Sequence, residues 1–214
     1  MGSSTEHEKR AAAEAAAGLV EDGMTVGLGT GSTVAYLLPA LAARRLDIRC
    51  VATSTATEIE ARRLGLDVRP FEGIAGLDLA IDGADQVAPD GWLIKGGGGA
   101  HTREKIVAAA ADRFTVIVSS DKPVARLRPP VPLEILTFGY DATLKALPEA
   151  ALRPGVPPSP DGGLIADWQG EFEDPAALSA RLAATPGVVD HGLFPPGLVT
   201  EILIGHPNGV EHRK

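Results

Sequence analysis

The chain has 214 residues, with Lys+Arg 20 against Asp+Glu 28 for a formal net charge of −8, and it is 44% hydrophobic and 4% aromatic. This composition excludes wholesale disorder, and its apolar runs break at Gly, Asp or Pro well short of the roughly 18 residues a membrane helix needs. The acidic balance excludes nucleic acid as the main partner, and the single Cys50 excludes a disulfide framework or a multi-thiolate metal site.

Met1–Arg10 lacks the apolar stretch of a signal peptide, which points to a cytoplasmic protein. Residues Glu6–Val20 are alanine-rich with helical spacing and predict a helix whose last turn Gly18 weakens. Met24–Leu28 reads as a short buried strand broken by Gly29-Thr30-Gly31, and Thr33–Ala43 as a helix. A strand over Asp47–Thr53, with Cys50 buried beside Val51, precedes a helix over Thr57–Leu64 and a short strand at Asp67–Arg69. The apolar run Leu77–Ile81 predicts a strand that stops at Asp82-Gly83. Trp92-Leu93-Ile94 is a brief strand, Thr102–Ala111 a helix and Phe114–Val118 another apolar strand. Apolar strands alternating with helices predict an α/β fold whose parallel sheet is covered on both faces.

From Arg126 the texture changes. Pro129, Pro130 and Pro132 form a hinge-like segment. Strands are then predicted at Leu133–Phe138, Leu164–Trp168 and Val188–Phe194, with helices at Asp141–Ala151 and Pro175–Ala184. That order suits a smaller α+β domain of ferredoxin-like type, with Pro154–Pro160 a surface loop. A strand at Leu198–Ile204, closed by Pro207-Asn208-Gly209, returns to the first sheet. The expected division is residues 1–126 plus 198–214 for the larger domain and 127–197 for the smaller.

Three segments carry chemistry. In Gly27-Leu28-Gly29-Thr30-Gly31-Ser32-Thr33, glycines let backbone N–H groups approach an anion at a helix start. The glycine spacing misses the dinucleotide fingerprint and no Gly-Lys-Ser/Thr follows, leaving a small phosphate ligand or an ordinary strand–helix turn. Thr53-Ser54-Thr55 ends the next strand, either lining the same cleft or capping a helix. In Asp82-Gly83-Ala84-Asp85, two carboxylates face one cleft or cap a tight turn. The third segment runs from Lys95 through Gly96, Gly97, Gly98 and Gly99 to Glu104 and Lys105. Its glycines let amides wrap an anion beside the Lys95 cation, and Glu104, in the first turn of a helix, is either a helix-start carboxylate or a base. His101 reads as a solvent-facing side chain.

Carboxylates, a cation and phosphate donors, with no nucleophile–His pair, suit proton transfer beside a carbonyl, which interconverts an aldose and a ketose without a cofactor. With these segments in this order, the chain resembles ribose-5-phosphate isomerase, type A. Ser120-Asp121-Lys122, Pro132-Leu133-Glu134 and the Pro186–Phe194 stretch support the resemblance. It implies a Rossmann-like parallel-sheet domain with a smaller α+β domain, and the isomerisation of D-ribose 5-phosphate and D-ribulose 5-phosphate in the non-oxidative pentose phosphate pathway. By the same resemblance Glu104 is the general base, Asp82 and Asp85 serve ring opening and hydroxyl proton transfer, and Lys95 faces the developing oxyanion. Gly83 and Ala84, between the two acids, bind the substrate, as do Gly96, Gly97 and Gly98, which supply amide donors. Thr30, Gly31, Ser32 and Thr33 contact phosphate, Lys122 contacts substrate, and Lys9 aligns loosely with a further phosphate-side lysine.

The resemblance also implies a phosphorylated pentose as ligand and a homodimer or homotetramer, with no metal, cofactor, nucleic acid or membrane involved. Gln86, Gly99 and His101 depart from the family pattern, as does the proline-rich Val156–Gly163. The alternatives are a non-catalytic sugar-phosphate sensor, as in repressor effector domains of this fold, and an enzyme acting on an amino-sugar phosphate or a lactone.

Overall fold

The computed structural model describes residues 2–214; Met1, where the Met1–Arg10 reading begins, lies outside the described residues. The first half of the chain contains α1 (Gly2–Ala17), β1 (Thr25–Leu28), α2 (Val34–Arg44), β2 (Arg49–Ala52), α3 (Thr55–Arg63), β3 (Asp67–Val68), β4 (Leu79–Asp82), β5 (Gln86–Val87), β6 (Leu93–Ile94) and α4 (His101–Ala109). The remainder contains β7 (Phe114–Ser119), β8 (Val131–Ile135), α5 (Tyr140–Ala146), β9 (Ala150–Leu152), β10 (Leu164–Trp168), α6 (Pro175–Ala183), β11 (Val188–His191), β12 (Leu193–Phe194), β13 (Glu201–His206) and β14 (Gly209–Arg213).

Two compact units divide the molecule. The first comprises the chain up to Ala84, then Arg103–Lys122 and Gly197–Lys214. It holds a seven-stranded sheet in the order β14-β13-β7-β4-β1-β2-β3, parallel except for the β13–β14 hairpin. This is the parallel sheet that the apolar runs predict. β7 is buried along its whole length, and Ala12, Ala13, Ala16 and Ala17 of α1 are buried in the same core as Leu28, Leu79 and Leu203. Small alanines let α1 approach its neighbours closely, and a side chain at Gly205 of β13 would collide with the Glu8 carbonyl. Cys50 is fully buried, and that burial pushes its thiol up to about 12, so it serves as a small hydrophobe.

The second unit comprises Asp85–Thr102 and Pro123–Pro196. It carries an antiparallel sheet in the order β11-β8-β10-β9 and a three-stranded sheet β12-β6-β5. Leu133, Ile135, Ala166, Trp168 and Leu182 form its core, and Asp174 caps α6 by accepting from the N–H groups of Ala176 and Ala177 at 2.8 and 3.1 Å.

Several expected boundaries move for identifiable reasons. α1 closes at Ala17 and not Val20: from Gly18 the chain tightens to bonds three residues back, Leu19 N–H on the Ala16 carbonyl at 3.0 Å and Val20 N–H on that of Ala17 at 3.3 Å. The helix expected over Asp141–Ala151 stops at Ala146, since Pro148 forbids a helical conformation at Leu147, whose φ and ψ are −123° and 72°. The freed chain becomes β9, paired to β10. Pro132, expected in a hinge, lies inside β8: its carbonyl accepts from Gly192 N–H at 2.7 Å, and its missing donor faces that same side, beyond the end of β11. The strand expected over Val188–Phe194 divides at Gly192, after which β12 leaves β8 and pairs with β6. The short strand β5 and the hairpin strand β14 had no clear apolar signature.

Candidate active site

In the first unit, β7, β4, β1 and β2 are parallel neighbours, so the loops after them leave from one edge of the sheet. Ligands of open α/β sheets bind at such carboxyl ends. Gly29–Thr33 follows β1, Thr53 and Ser54 follow β2, Asp82 ends β4 and Ser120–Lys122 follows β7. The helix α4 leads back to the amino end of β7, which puts its first turn, with Glu104, at the same edge. Val107 of α4 fills the space above Gly27 of β1.

Asp82 is the last residue of its strand and not the residue after it, and it is buried at 3% exposure. Its Oδ1 accepts from the N–H groups of Thr30 at 3.0 Å and Gly83 at 2.7 Å. Gly29 makes this possible: a Cβ there would lie 2.0 Å from the Asp82 carboxylate carbon. Thr30 Oγ1 contacts Thr53 Oγ1 at 2.8 Å, and the Thr57 hydroxyl donates to the Gly29 carbonyl at 2.9 Å, so a ladder of hydroxyls stiffens the loop. Ser54 caps α3 by accepting from Thr57 N–H, as the capping alternative proposes, whereas Thr53 joins the loop.

Gly31 and Ser32 are exposed, and Thr33 immediately precedes α2. The first N–H groups of a helix have no partner within it and attract anions. Glu104 is buried at 4% exposure in the first turn of α4. Lys122 pairs with Asp121 at 3.5 Å and Lys9 with Glu6 at 2.9 Å. The buried Glu8 carboxylate accepts from Ser120 N–H at 3.1 Å and Ser120 Oγ at 2.7 Å, tying α1 to the loop that carries Lys122; these bonds, the hydroxyl first, hold its pKa below the ordinary value.

In the second unit, Asp85 is exposed, and its Oδ2 accepts from Gly97 N–H at 2.8 Å. Lys95 is buried at 2% exposure, with its ammonium 5.4 Å from the centroid of the Phe194 ring. The glycine tract turns back on itself, Gly99 N–H donating to the Gly96 carbonyl at 3.0 Å, while Gly97 and Gly98 lie exposed. His101 is fully buried, which corrects the solvent-facing expectation. Its ring packs where a Gly96 side chain would be, with a Cβ there only 2.7 Å from Nδ1, so the tract's lack of side chains creates the histidine's niche.

Arg153, which lies in none of the three segments, and Glu134 of β8 also shape this unit. Arg153 donates to the carbonyls of Gly96 and Gly97 and to Asp167. The Thr102 and Ser159 hydroxyls both donate to Glu134, which is 2% exposed within β8. Ser159 is therefore buried, although the rest of the Pro154–Pro160 loop is exposed as expected. Glu134 enters the sequence reading only within Pro132-Leu133-Glu134 and without a role, although a charged residue inside the apolar run Val131–Ile135 signals a buried polar contact; Arg153 has no such signal.

The family model of ribose 5-phosphate isomerase A (phosphoriboisomerase A) matches residues 49–209. The chain belongs to the ribose 5-phosphate isomerase A family. Among relatives, ribose-5-phosphate isomerase A of Caulobacter vibrioides (strain NA1000 / CB15N) is 46% identical, covering 97% of each chain. The solved ribose 5-phosphate isomerase A of Methanocaldococcus jannaschii superposes with a TM-score of 0.92 at 34% identity, over 99% of this chain and 100% of that one. A D-ribose-5-phosphate isomerase in complex with phospho-erythronic acid has a TM-score of 0.92 at 33% identity, covering 98% of this chain and 99% of that one. The model of the DeoR C terminal sensor domain matches only residues 4–66. Family and fold thus agree with the resemblance drawn from the loop motifs. Among the described residues no helix is long and apolar enough to cross a membrane.

Proposed function

We propose that this isomerase-family chain interconverts D-ribose 5-phosphate and D-ribulose 5-phosphate through an enediolate, with Glu104 as the base. The observation that carries this reading is the burial of Glu104 in the first turn of α4, at the same sheet edge as an amide-rich loop and an amide-held Asp82. A carboxylate shielded from water is a stronger base toward a carbon acid than a solvated one. Family membership supports the same assignment.

In the ribose-to-ribulose direction, Asp82 and Asp85 assist ring opening, and Glu104 removes the C2 proton of the open aldose. The electron pair of the C–H bond moves to the carbonyl, and Lys95 with the amides of Gly96, Gly97 and Gly98 stabilises the resulting oxyanion. The acidic pair moves the hydroxyl proton from O2 to O1, and Glu104 returns its proton to C1, leaving the ketone at C2. Thr30, Gly31, Ser32 and Thr33 bind phosphate, Lys122 contacts the substrate, and Gly83 and Ala84 border it. The larger domain expected at 1–126 plus 198–214 is the catalytic one in this reading. No cofactor or metal takes part, and the enzyme is a cytoplasmic homodimer or homotetramer.

The partial match to a sensor domain keeps one rival: a sugar-phosphate binder without turnover. Both readings use the loop Gly29–Thr33, but only the enzyme needs Glu104. A direct assay of ribulose 5-phosphate formation, with and without EDTA, separates them. Turnover insensitive to EDTA is expected. A well-folded protein that binds ribose 5-phosphate without converting it would establish the sensor instead.

A further inference from the structure

Arg153 follows β9, outside all of the motifs discussed above, and commits its whole guanidinium to its own unit. Nε and Nη2 donate to the two oxygens of Asp167 at 2.8 and 2.6 Å, and Nη1 donates to the carbonyls of Gly97 at 2.8 Å and Gly96 at 3.3 Å. The pair is largely buried, with side-chain exposures of 16% and 13%. Its bond to Asp167 raises the arginine's pKa, and Asp85 adds to that field, so the charge is permanent.

The consequence follows from peptide planarity. The C=O and the N–H of one trans peptide unit point in opposite directions. Holding the Gly96 carbonyl therefore turns the Gly97 N–H away from Arg153, and that N–H is found on Asp85 at 2.8 Å. Holding the Gly97 carbonyl in the same way turns the N–H of Gly98 away from the arginine, at a point where the chain is exposed. The Gly96 carbonyl is also held by Gly99 N–H at 3.0 Å, so the clamp matters most for the Gly97–Gly98 peptide, because glycine peptides rotate more freely than any others. Donors serve an oxyanion only when they are aimed before the charge develops.

We infer that Arg153, locked by Asp167, is a positioning residue of the isomerase: it aims the Gly98 amide and seats Gly97 on Asp85. The inference rests on the proposed function and adds to it a residue that never touches the substrate. A lysine cannot replace it, because one ammonium cannot span a carboxylate and two carbonyls in a fixed plane.

The test compares wild type with R153M, R153K, D167N and the double variant R153M/D167N. Steady-state kinetics are measured on ribose 5-phosphate, and amide hydrogen exchange over residues 96–100. In R153M, kcat falls about 10–100-fold with KM little changed, as expected when donors to a transition state are misaimed by an ångström or so. R153K recovers only part of that loss, the double variant is no worse than R153M, and exchange at the glycine tract rises while the rest of the protein stays protected. R153M with wild-type kcat, or single losses that multiply in the double variant, would overturn the inference and leave the proposed function standing. A kcat deficit that vanishes on correction for the folded fraction would overturn it as well. An inactive but folded wild type would remove the proposed function, and this inference with it.

Discussion

Asp82 and Asp85 are three residues apart, yet their surroundings could hardly differ more. Asp82 is buried at a strand end, its carboxylate set in a notch that exists only because position 29 has no side chain. Asp85 is exposed and is held by the amide of a glycine loop whose carbonyls bond to an arginine far along the chain, just after β9. The first arrangement is steric and local to neighbouring parallel strands. The second is polar and assembled at long range. A carboxylate fixed by close packing resists small changes in its surroundings but tolerates no added atom, whereas one fixed through a flexible loop tolerates added atoms but depends on its supports.

This contrast can be broken at its tightest point by G29A. The new methyl would overlap the Asp82 carboxylate at 2.0 Å, so the side chain must leave the Thr30 and Gly83 amides. We expect kcat to fall about 100-fold or more from that displacement. The matching variant G97A brings a methyl to 2.9 Å from the Asp85 carboxylate, which is exposed and can turn aside. Its kcat should fall by less than about tenfold, since a displacement that relaxes into solvent costs little. Equal effects in the two variants would show that the distinction has no catalytic meaning.

A third variant, E134A, probes the supports of the second region. It leaves the Thr102 and Ser159 hydroxyls without their acceptor and should lower stability in urea unfolding by about 1–3 kcal/mol. An unchanged midpoint would mean that water replaces the carboxylate without loss. The smallest effect is expected from salt. With a formal net charge of −8 the chain cannot draw a phosphorylated sugar by its overall field, and attraction must be local, at the helix-start amides and lysines. Raising ionic strength from roughly 50 to 200 mM should change kcat/KM by less than about twofold. A steep fall would point to long-range steering instead.

Much of the first region was legible because its determinants are close in sequence or follow a strong pattern. The apolar runs at Met24–Leu28, Leu77–Ile81 and Phe114–Val118 mark buried parallel strands, and the residues after them form the candidate site. Even there a boundary mattered: Asp82 belongs to the strand, which is why it is buried. The second region was legible only as a glycine tract between charged residues. Its shape depends on Arg153, which is 57 residues from Gly96 and bonds to carbonyls, and carbonyls are the same at every position. The burial of His101 escapes the sequence for a related reason, since it depends on the space that glycines elsewhere leave empty. Pro148, by contrast, was in plain view as a helix stop at Leu147.

Glu104 carries the proton in the proposed reaction, and E104Q isolates that role, because glutamine keeps the size of the side chain and removes its basicity. In E104Q, kcat for ribose 5-phosphate should fall about 100- to 10,000-fold while the substrate still binds with an affinity close to that of wild type. A folded E104Q enzyme that turns over at the wild-type rate would contradict that role.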